Sequence, residues 1–347
     1  MNFAIKPSDH TEKKYKSIGV LIINLGTPEA TDYFSMRKYL REFLSDRRVI
    51  DVFKPLWWLI LNGPILTFRP SKSGKAYQRI WDKKKGSPLK YITENQTKKL
   101  KLIFKKYNFI SIDYAMRYGK PSIKEKLNQM FDSGCSKILI MPLYPQYAAS
   151  TTASVQDEVY KWLLTKRWQP AIRTVAPWYD EISYINSISR SIKMSINKNG
   201  KPDAIIVSFH GVPKRYLLLG DPYHCHCQKT ARLIQEKLKW PKSKFYISFQ
   251  SRFGPEPWLQ PYTDELLIKL ANEGLKNITI ISPGFVTDCL ETLDEIQNEA
   301  KEIFIENGGK KLNYVNCLND SREAMNLFEE LILKNLSGWL NNKKRKN

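Results

Sequence analysis

Cysteine and histidine are scarce in this chain, five and four among 347 residues. The cysteines (Cys135, Cys225, Cys227, Cys289 and Cys317) are odd in number and widely spaced. That excludes a disulfide framework and fits a reducing cytoplasm. The first residues, MNFAIKPSDHTEKKYKS, contain no apolar stretch, so no secretory signal is expected. The glycine patterns of nucleotide-binding loops are also missing. NLGTPEAT (24–31) has one glycine where the dinucleotide fingerprint needs a G-x-G-x-x-G turn, and no P-loop pattern occurs. Zinc-finger, RNP and homeodomain signatures are absent as well. The net charge of +22, with lysine concentrated at 11–16, 83–85 and 342–346, therefore reads as solvated surface attracted to anionic membranes, and no nucleic-acid partner is expected.

What is present is an alternation. Eight short apolar runs read as strands: 19–24, 112–117, 137–143, 172–176, 203–209, 245–249, 278–282 and 312–316. Most are continuously apolar, as strands covered on both faces should be. Amphipathic helical patterns separate them, at 31–44, 121–131, 154–166, 182–196, 228–238, 262–274 and 290–304, with a last one at 322–336. Alternation of this kind predicts parallel sheets with helices on both sides. Eight strands are many for one sheet, so two doubly wound domains of about four strands each are expected. The boundaries are 1–176, 177–320 and a C-terminal helix with a basic tail at 321–347, whose packing partner is open.

In such folds ligands lie beyond the carboxyl ends of the strands. His210 stands there, directly after DAIIVSF, as the side chain best suited to exchange protons or ligate a metal near neutral pH. Asp288, Glu291 and Glu295 follow another strand, spaced three and four apart on one helix face. Acids at a helix start are also what the dipole favours, and they usually face water. Aromatic residues (Tyr118, Tyr144, Tyr147, Phe209, Phe253, Trp258 and Phe285) gather at the same ends, with Arg79, Arg117 and Ser150 near them. A cleft for a planar, acidic, aromatic ligand fits this set. FKPLWWLILNGPILTFRP (53–70) is strongly apolar but broken at Asn62-Gly63-Pro64, so it cannot span a bilayer as a helix. It is either a buried helix-turn or an exposed lip at a membrane interface or over an apolar ligand.

Many ordered motifs carry a resemblance: NLGTPE (24–29), QRIWDKKKGSPL (78–89), MRYGKP (116–121), LYPQYAASTTAS (143–154), SFHGVP (208–213), GDPY (220–223), SFQSRFGPEPWLQP (248–261) and FVTDCLETLDEI (285–296). From about residue 17 to 338 the chain resembles the ferrochelatases, which insert ferrous iron into a porphyrin to make haem. The resemblance implies two similar Rossmann-like domains with the porphyrin cleft between them. It implies His210 and Glu291 as catalytic residues and transient holders of substrate Fe2+, with Asp288 and Glu295 as an acidic track. Arg117 and Tyr118 would line the ring opposite His210, and Tyr144, Arg79, Ser150 and Trp258 would contact the porphyrin. The apolar lip implies protoporphyrin IX, with peripheral contact between 53–70 and the cytoplasmic membrane.

The chain also departs from the family. Many relatives hold a 2Fe-2S cluster through three C-terminal cysteines and one before the STT motif, but this tail has none and the internal position is Ala149. No permanent cofactor is expected. Cys289 stands where some relatives carry histidine. Coproporphyrin as substrate, a cobalt or nickel chelatase, and a non-catalytic two-lobed binding protein are the competing readings. Finally, GDPYHCHCQK (220–229) looks like a metal site but reads as a helix start. Asp221 would be the cap and Pro222 the first helical residue, which points His224, Cys225, His226 and Cys227 in different directions.

Overall fold

The computed structural model describes residues 17–340. The basic stretches at 11–16 and 342–346 lie outside them. All eight strands form, as two separate parallel sheets. The first contains β1 (Ser17–Gly26), β2 (Ile110–Tyr118), β3 (Cys135–Pro142) and β4 (Ala171–Thr174) in the order β2-β1-β3-β4. The second contains β5 (Ala204–His210), β6 (Phe245–Gln250), β7 (Asn277–Ile281) and β8 (Lys311–Val315) in the order β6-β5-β7-β8. The two halves thus repeat one topology, and each central strand (β1, β5) is almost wholly buried because helices cover both faces.

The halves share an apolar core. One cluster runs from Val20 and Leu139 in the first sheet through Trp178, Tyr184 and Phe328 to Ile205 and Val207 in the second. The last helix, Arg322–Asn335, buries Leu327, Phe328 and Leu331 and packs on β3, the Pro88–Ile103 helix and the Ile182–Asn199 helix, so it straddles both sheets. The Pro88–Ile103 helix has no counterpart among the helices expected from sequence. Its inner face carries buried Thr93, Gln96 and Thr97 as well as Leu89, Ile92 and Leu100, which blurs the apolar period.

The connection from β1 to β2 holds the long insertion that carries the lip. A helix at Lys54–Ile60 leads through a wide turn at Leu61–Ile65 into the helix Leu66–Ile80, with the chain kinked at Gly63 before Pro64. Of the two readings of 53–70, the exposed one holds. Phe53, Trp58 and Phe68 are 73%, 63% and 74% exposed, and Leu56 and Leu59 are also open to solvent. The other side of the segment turns in: Leu61 and Leu66 are buried in an apolar cluster with Met36 and Leu40, and Trp57 donates its Nε1–H to the Leu44 carbonyl at 2.7 Å. Among the described residues no helix is long and apolar enough to cross a membrane.

Candidate active site

The second sheet builds the reactive edge. His210 is the last residue of β5, paired in register with Gln250 at the end of β6. The Gly211 amide donates to the Gln250 carbonyl at 2.8 Å. Only glycine fits at 211, because a Cβ would lie 2.9 Å from that carbonyl and 3.0 Å from the Trp258 ring. This close turn lays Trp258 beside the imidazole (ring centroids 6.5 Å apart), while Phe285 approaches at 6.4 Å. His210 Nδ1 lies 2.6 Å from the Gly211 carbonyl, an acceptor, so Nδ1 is the donor of that bond. The Tyr223 hydroxyl donates to the His210 carbonyl at 2.9 Å and fixes the strand end.

Gln250, which sequence reasoning passed over, joins this histidine to the acids. Its Nε2 donates to the Glu291 carbonyl at 2.7 Å and to Glu295 Oε2 at 3.4 Å. Its Oε1 accepts from Ser208 (2.9 Å) and Ser282 (3.2 Å), which sets the orientation of the amide. The Ser251 hydroxyl also donates to Glu295. Burial, then the charge of Glu291, pushes the Glu295 carboxyl up to about 8. Near neutral pH Glu295 therefore holds its proton beside Glu291. They stand one turn apart where the helix widens from Leu290–Leu293 into Glu295–Ala300.

The first domain supplies the facing wall. Burial raises the hydroxyl pKa values of Tyr39, Tyr77 and Tyr144, and the Glu291 charge adds to all three, so Glu291 faces a tyrosine wall. Three buried polar atoms at this cleft have no hydrogen-bond partner: Arg69 Nη1, Tyr144 Oη and Trp258 Nε1. Arg69, a residue not singled out from sequence, lies 4.4 Å over the Phe253 ring; burial lowers its pKa and the Glu295 charge opposes that.

Several sequence expectations need correction. Asp288 is not an open member of an acidic track. It is 2% exposed and accepts from Thr292 Oγ1 (3.0 Å), Tyr314 Oη (2.6 Å), Asn316 Nδ2 (3.2 Å), the Cys317 amide (3.3 Å) and Asn319 Nδ2 (2.6 Å). A carboxylate with that many donors anchors the loop entering the Glu291 helix. Arg79 is likewise engaged, forked onto Asp294 across the domain boundary. Arg117 and Tyr118 form a buried network instead of an open ring surface. Arg117 donates to Asp46 Oδ2 (2.5 Å) and Ser154 Oγ (2.6 Å), and Tyr118 Oη donates to Asp46 at 2.8 Å. Burial raises the Asp46 pKa, but hydrogen bonds from Ser154, the Arg48 amide and Tyr118, with the charge of Arg117, outweigh it and hold the carboxyl below its ordinary value. The pair buttresses the wall behind Tyr144, which feels both Arg117 and Glu291. Ser150 lies half-buried in the short helix Ala149–Ala153. Cys289 is a buried thiol, its pKa pushed up by burial and by the Glu291 charge.

GDPYHCHCQK is a helix start, one residue later than expected. The helix runs Tyr223–Leu238, and Asp221 Oδ1 accepts from the Tyr223 amide at 3.0 Å. Cys227 is buried and Cys225 exposed. His226 stacks on Tyr179 at 3.7 Å and accepts the Tyr147 amide at Nδ1, and His224 meets Gln228. No group of three metal-ligating side chains occurs among the described residues.

Comparison with known proteins decides the family. The sequence model of the ferrochelatases matches residues 17–336. The chain belongs to the ferrochelatase family. A ferrochelatase of Allorhizobium ampelinum is 51% identical over 336 residues, covering 96% of this chain and 98% of that one. Ferrochelatases of Agrobacterium fabrum and Rhizobium meliloti are each 50% identical, over 96% of this chain. Among solved structures, SirB from Bacillus subtilis with Fe3+ superposes with a TM-score of 0.54 at 13% identity, covering 93% of this chain and 98% of its own. That likeness shows the two-lobed fold. With family membership, the expectation of a metal-inserting lyase of haem biosynthesis stands for this ferrochelatase-family chain.

Proposed function

We propose that this chain inserts Fe2+ into protoporphyrin IX, releasing two protons to give protohaem. The observation that carries this reading is the set of unpartnered polar atoms at the cleft. Arg69 Nη1, Tyr144 Oη and Trp258 Nε1 are buried without partners beside a histidine and a half-neutralised acid pair. Orphaned buried donors cost about 1–3 kcal/mol each unless a ligand satisfies them. An acidic, aromatic ring does so, with Arg69 at a ring carboxylate and the indole and phenol against the macrocycle edge.

The chemistry follows from the same geometry. Two pyrrole N–H protons must leave, and a flat ring hides the nitrogen lone pairs. A cleft complementary to a bent ring stabilises the transition state over the ground state. His210 presents Nε2 as base or iron ligand, and Glu291, beside a Glu295 that holds its proton, is the second acceptor. Iron is a substrate here. Ala149 stands where many relatives carry the internal cluster cysteine, which supports a protein without that cluster.

The exposed Phe53, Trp58 and Phe68, on a chain of net charge +22, support docking of the lip on the cytoplasmic membrane, where an apolar porphyrin is collected. We assign the domains as 1–176 and 177–320. The test is anaerobic incubation with Fe(II) and protoporphyrin followed by absorbance. Free-porphyrin bands should disappear with wild type, while His210→Ala should bind porphyrin and lose insertion by at least about 100-fold. Unchanged bands with folded wild type overturn the proposal; faster insertion into coproporphyrin overturns the substrate.

A further inference from the structure

The Arg79 ion pair lies where the two domains meet around the acids. Arg79 sits at the end of the Leu66–Ile80 helix, which also carries Arg69 and continues the lip. Asp294 is the junction residue between the Leu290–Leu293 turn and the widened Glu295–Ala300 turn of the other domain. Arg79 Nε donates to Asp294 Oδ1 at 2.6 Å, and Nη2 donates to Asp294 Oδ2 at 2.5 Å and Glu299 Oε1 at 2.8 Å. The Asp294 side chain is 2% exposed, and its other side-chain contact is Asn298 Nδ2 at 3.5 Å.

Asp294 lies between Glu291 and Glu295 in the chain. Neighbours one and three apart do not all project alike from a helix. Holding Asp294 toward the lip helix therefore fixes the rotation at which Glu291 meets the tyrosine wall and Glu295 meets Gln250 and Ser251. A bidentate guanidinium–carboxylate fork sets orientation as well as distance, which a lysine ammonium cannot do.

We propose that Arg79 and Asp294 are an interdomain positioning pair that locks the lip helix to the acid-bearing helix and so sets the catalytic placement of Glu291 and Glu295. This rests on the chelatase reading for its activity readout. The pair also balances local charge. Glu295 faces Glu291 and Glu299 along its own segment, Arg69 from the lip helix, and the neutral Gln250 and Ser251 from the end of β6, while Glu299 in turn faces Asp294, Glu302, Arg79 and Lys72. Removing the Arg79 charge leaves Asp294 and Glu299 without their cation, and the Glu299 charge then bears more fully on Glu295.

The test compares wild type with Arg79→Met, Arg79→Lys, Asp294→Asn and the double variant. Arg79→Met should keep its circular dichroism, lose about 10- to 100-fold in kcat, and move the acid-pair inflection of its pH–rate profile upward. Arg79→Lys should keep the inflection and recover only part of kcat. Asp294→Asn in the Arg79→Met background should return the inflection toward wild type, since it removes the uncompensated buried charge. Wild-type kcat and inflection in Arg79→Met overturn the proposal. Should Arg79→Met fail to fold, the same comparison is made on Asp294→Asn and Arg79→Lys, and wild-type kcat in both overturns it. A wild-type chain that inserts no iron overturns the chelatase reading instead. The pair is then judged by a double-mutant cycle in urea, where additive effects at positions 79 and 294 overturn it.

Discussion

Replacing Glu295 with glutamine should alter stability in a way that depends on pH, because the carboxyl titrates far from its ordinary range. In the folded chain it is held at about 8 against an ordinary 4.5, by burial first and the Glu291 charge second. The folded-state value is raised, so the group's stabilising contribution is fully present below 4.5 and is lost as pH rises toward 8. Between those limits an unfolded chain releases the proton while the folded one keeps it. At about 1.4 kcal/mol per pH unit the cost is on the order of 4 kcal/mol by pH 8. Glutamine preserves the shape, still accepts from Ser251 and Gln250, and does not titrate. Glu295→Gln and wild type should therefore melt together at pH 5, and the variant should melt higher at pH 8.5, by on the order of 8 °C for a chain of this size. The assay is thermal unfolding by circular dichroism at pH 5, 7 and 8.5. A Tm difference that stays constant across this range would refute the argument.

The remaining sites give sharper local tests. Asp288→Ala strips the acceptor from five donors and should cost about 3–5 kcal/mol in urea unfolding, and a midpoint equal to wild type contradicts the anchoring role. Arg69→Met should raise KM for protoporphyrin about 10-fold and leave KM for its dimethyl ester unchanged, because the lost partner is a ring carboxylate. Equal KM changes for both would assign Arg69 to packing. Trp58→Glu with Phe68→Glu should abolish co-sedimentation with anionic phosphatidylglycerol vesicles while activity in detergent persists; continued sedimentation removes the lip from membrane docking.

The strands were legible because both-face burial writes them as unbroken apolar runs, and Ile18–Ile23 or Ala204–Phe209 admit little else. The Pro88–Ile103 helix was illegible for the opposite reason, since its inner face is partly polar and satisfied at long range. Asn24 donates to Thr93, and Gln96 donates to Thr287 and the Asn319 carbonyl. His210 and Trp258 were both expected at strand ends, and the structure sets their rings 6.5 Å apart. The bonding of Arg79 and Asp288 was illegible because charge and neighbourhood do not reveal a partner. The partner of Arg79 is 215 residues away, and those of Asp288 lie mostly on the 314–319 segment beyond β8. Gln250 escaped notice because an amide has no titratable chemistry of its own, although it is the contact through which the base and the acids share one frame.

Density of reactive residue types turns out to be a poor guide to the site, and the state of hydrogen-bonding capacity a better one. HCHC at 224–227 is the richest cluster in the sequence, yet His226 is spent on the Tyr147 amide and Tyr179, and Cys227 is packed away. Arg117 is satisfied by Asp46 and Ser154, and Arg79 by Asp294 and Glu299. Around His210 the opposite holds. Arg69, Tyr144 and Trp258 each bury a donor with nothing to receive it, and two carboxyls are pressed together until one keeps its proton. Unpartnered buried atoms also occur elsewhere, as at Gln96 Oε1, Trp178 Nε1 and Thr279 Oγ1, but in this cleft three of them stand beside a histidine and an acid pair. Binding an acidic macrocycle whose nitrogens must lose protons would offset their cost, because its carboxylates are acceptors for buried donors and the acid pair and His210 stand ready for the protons that leave.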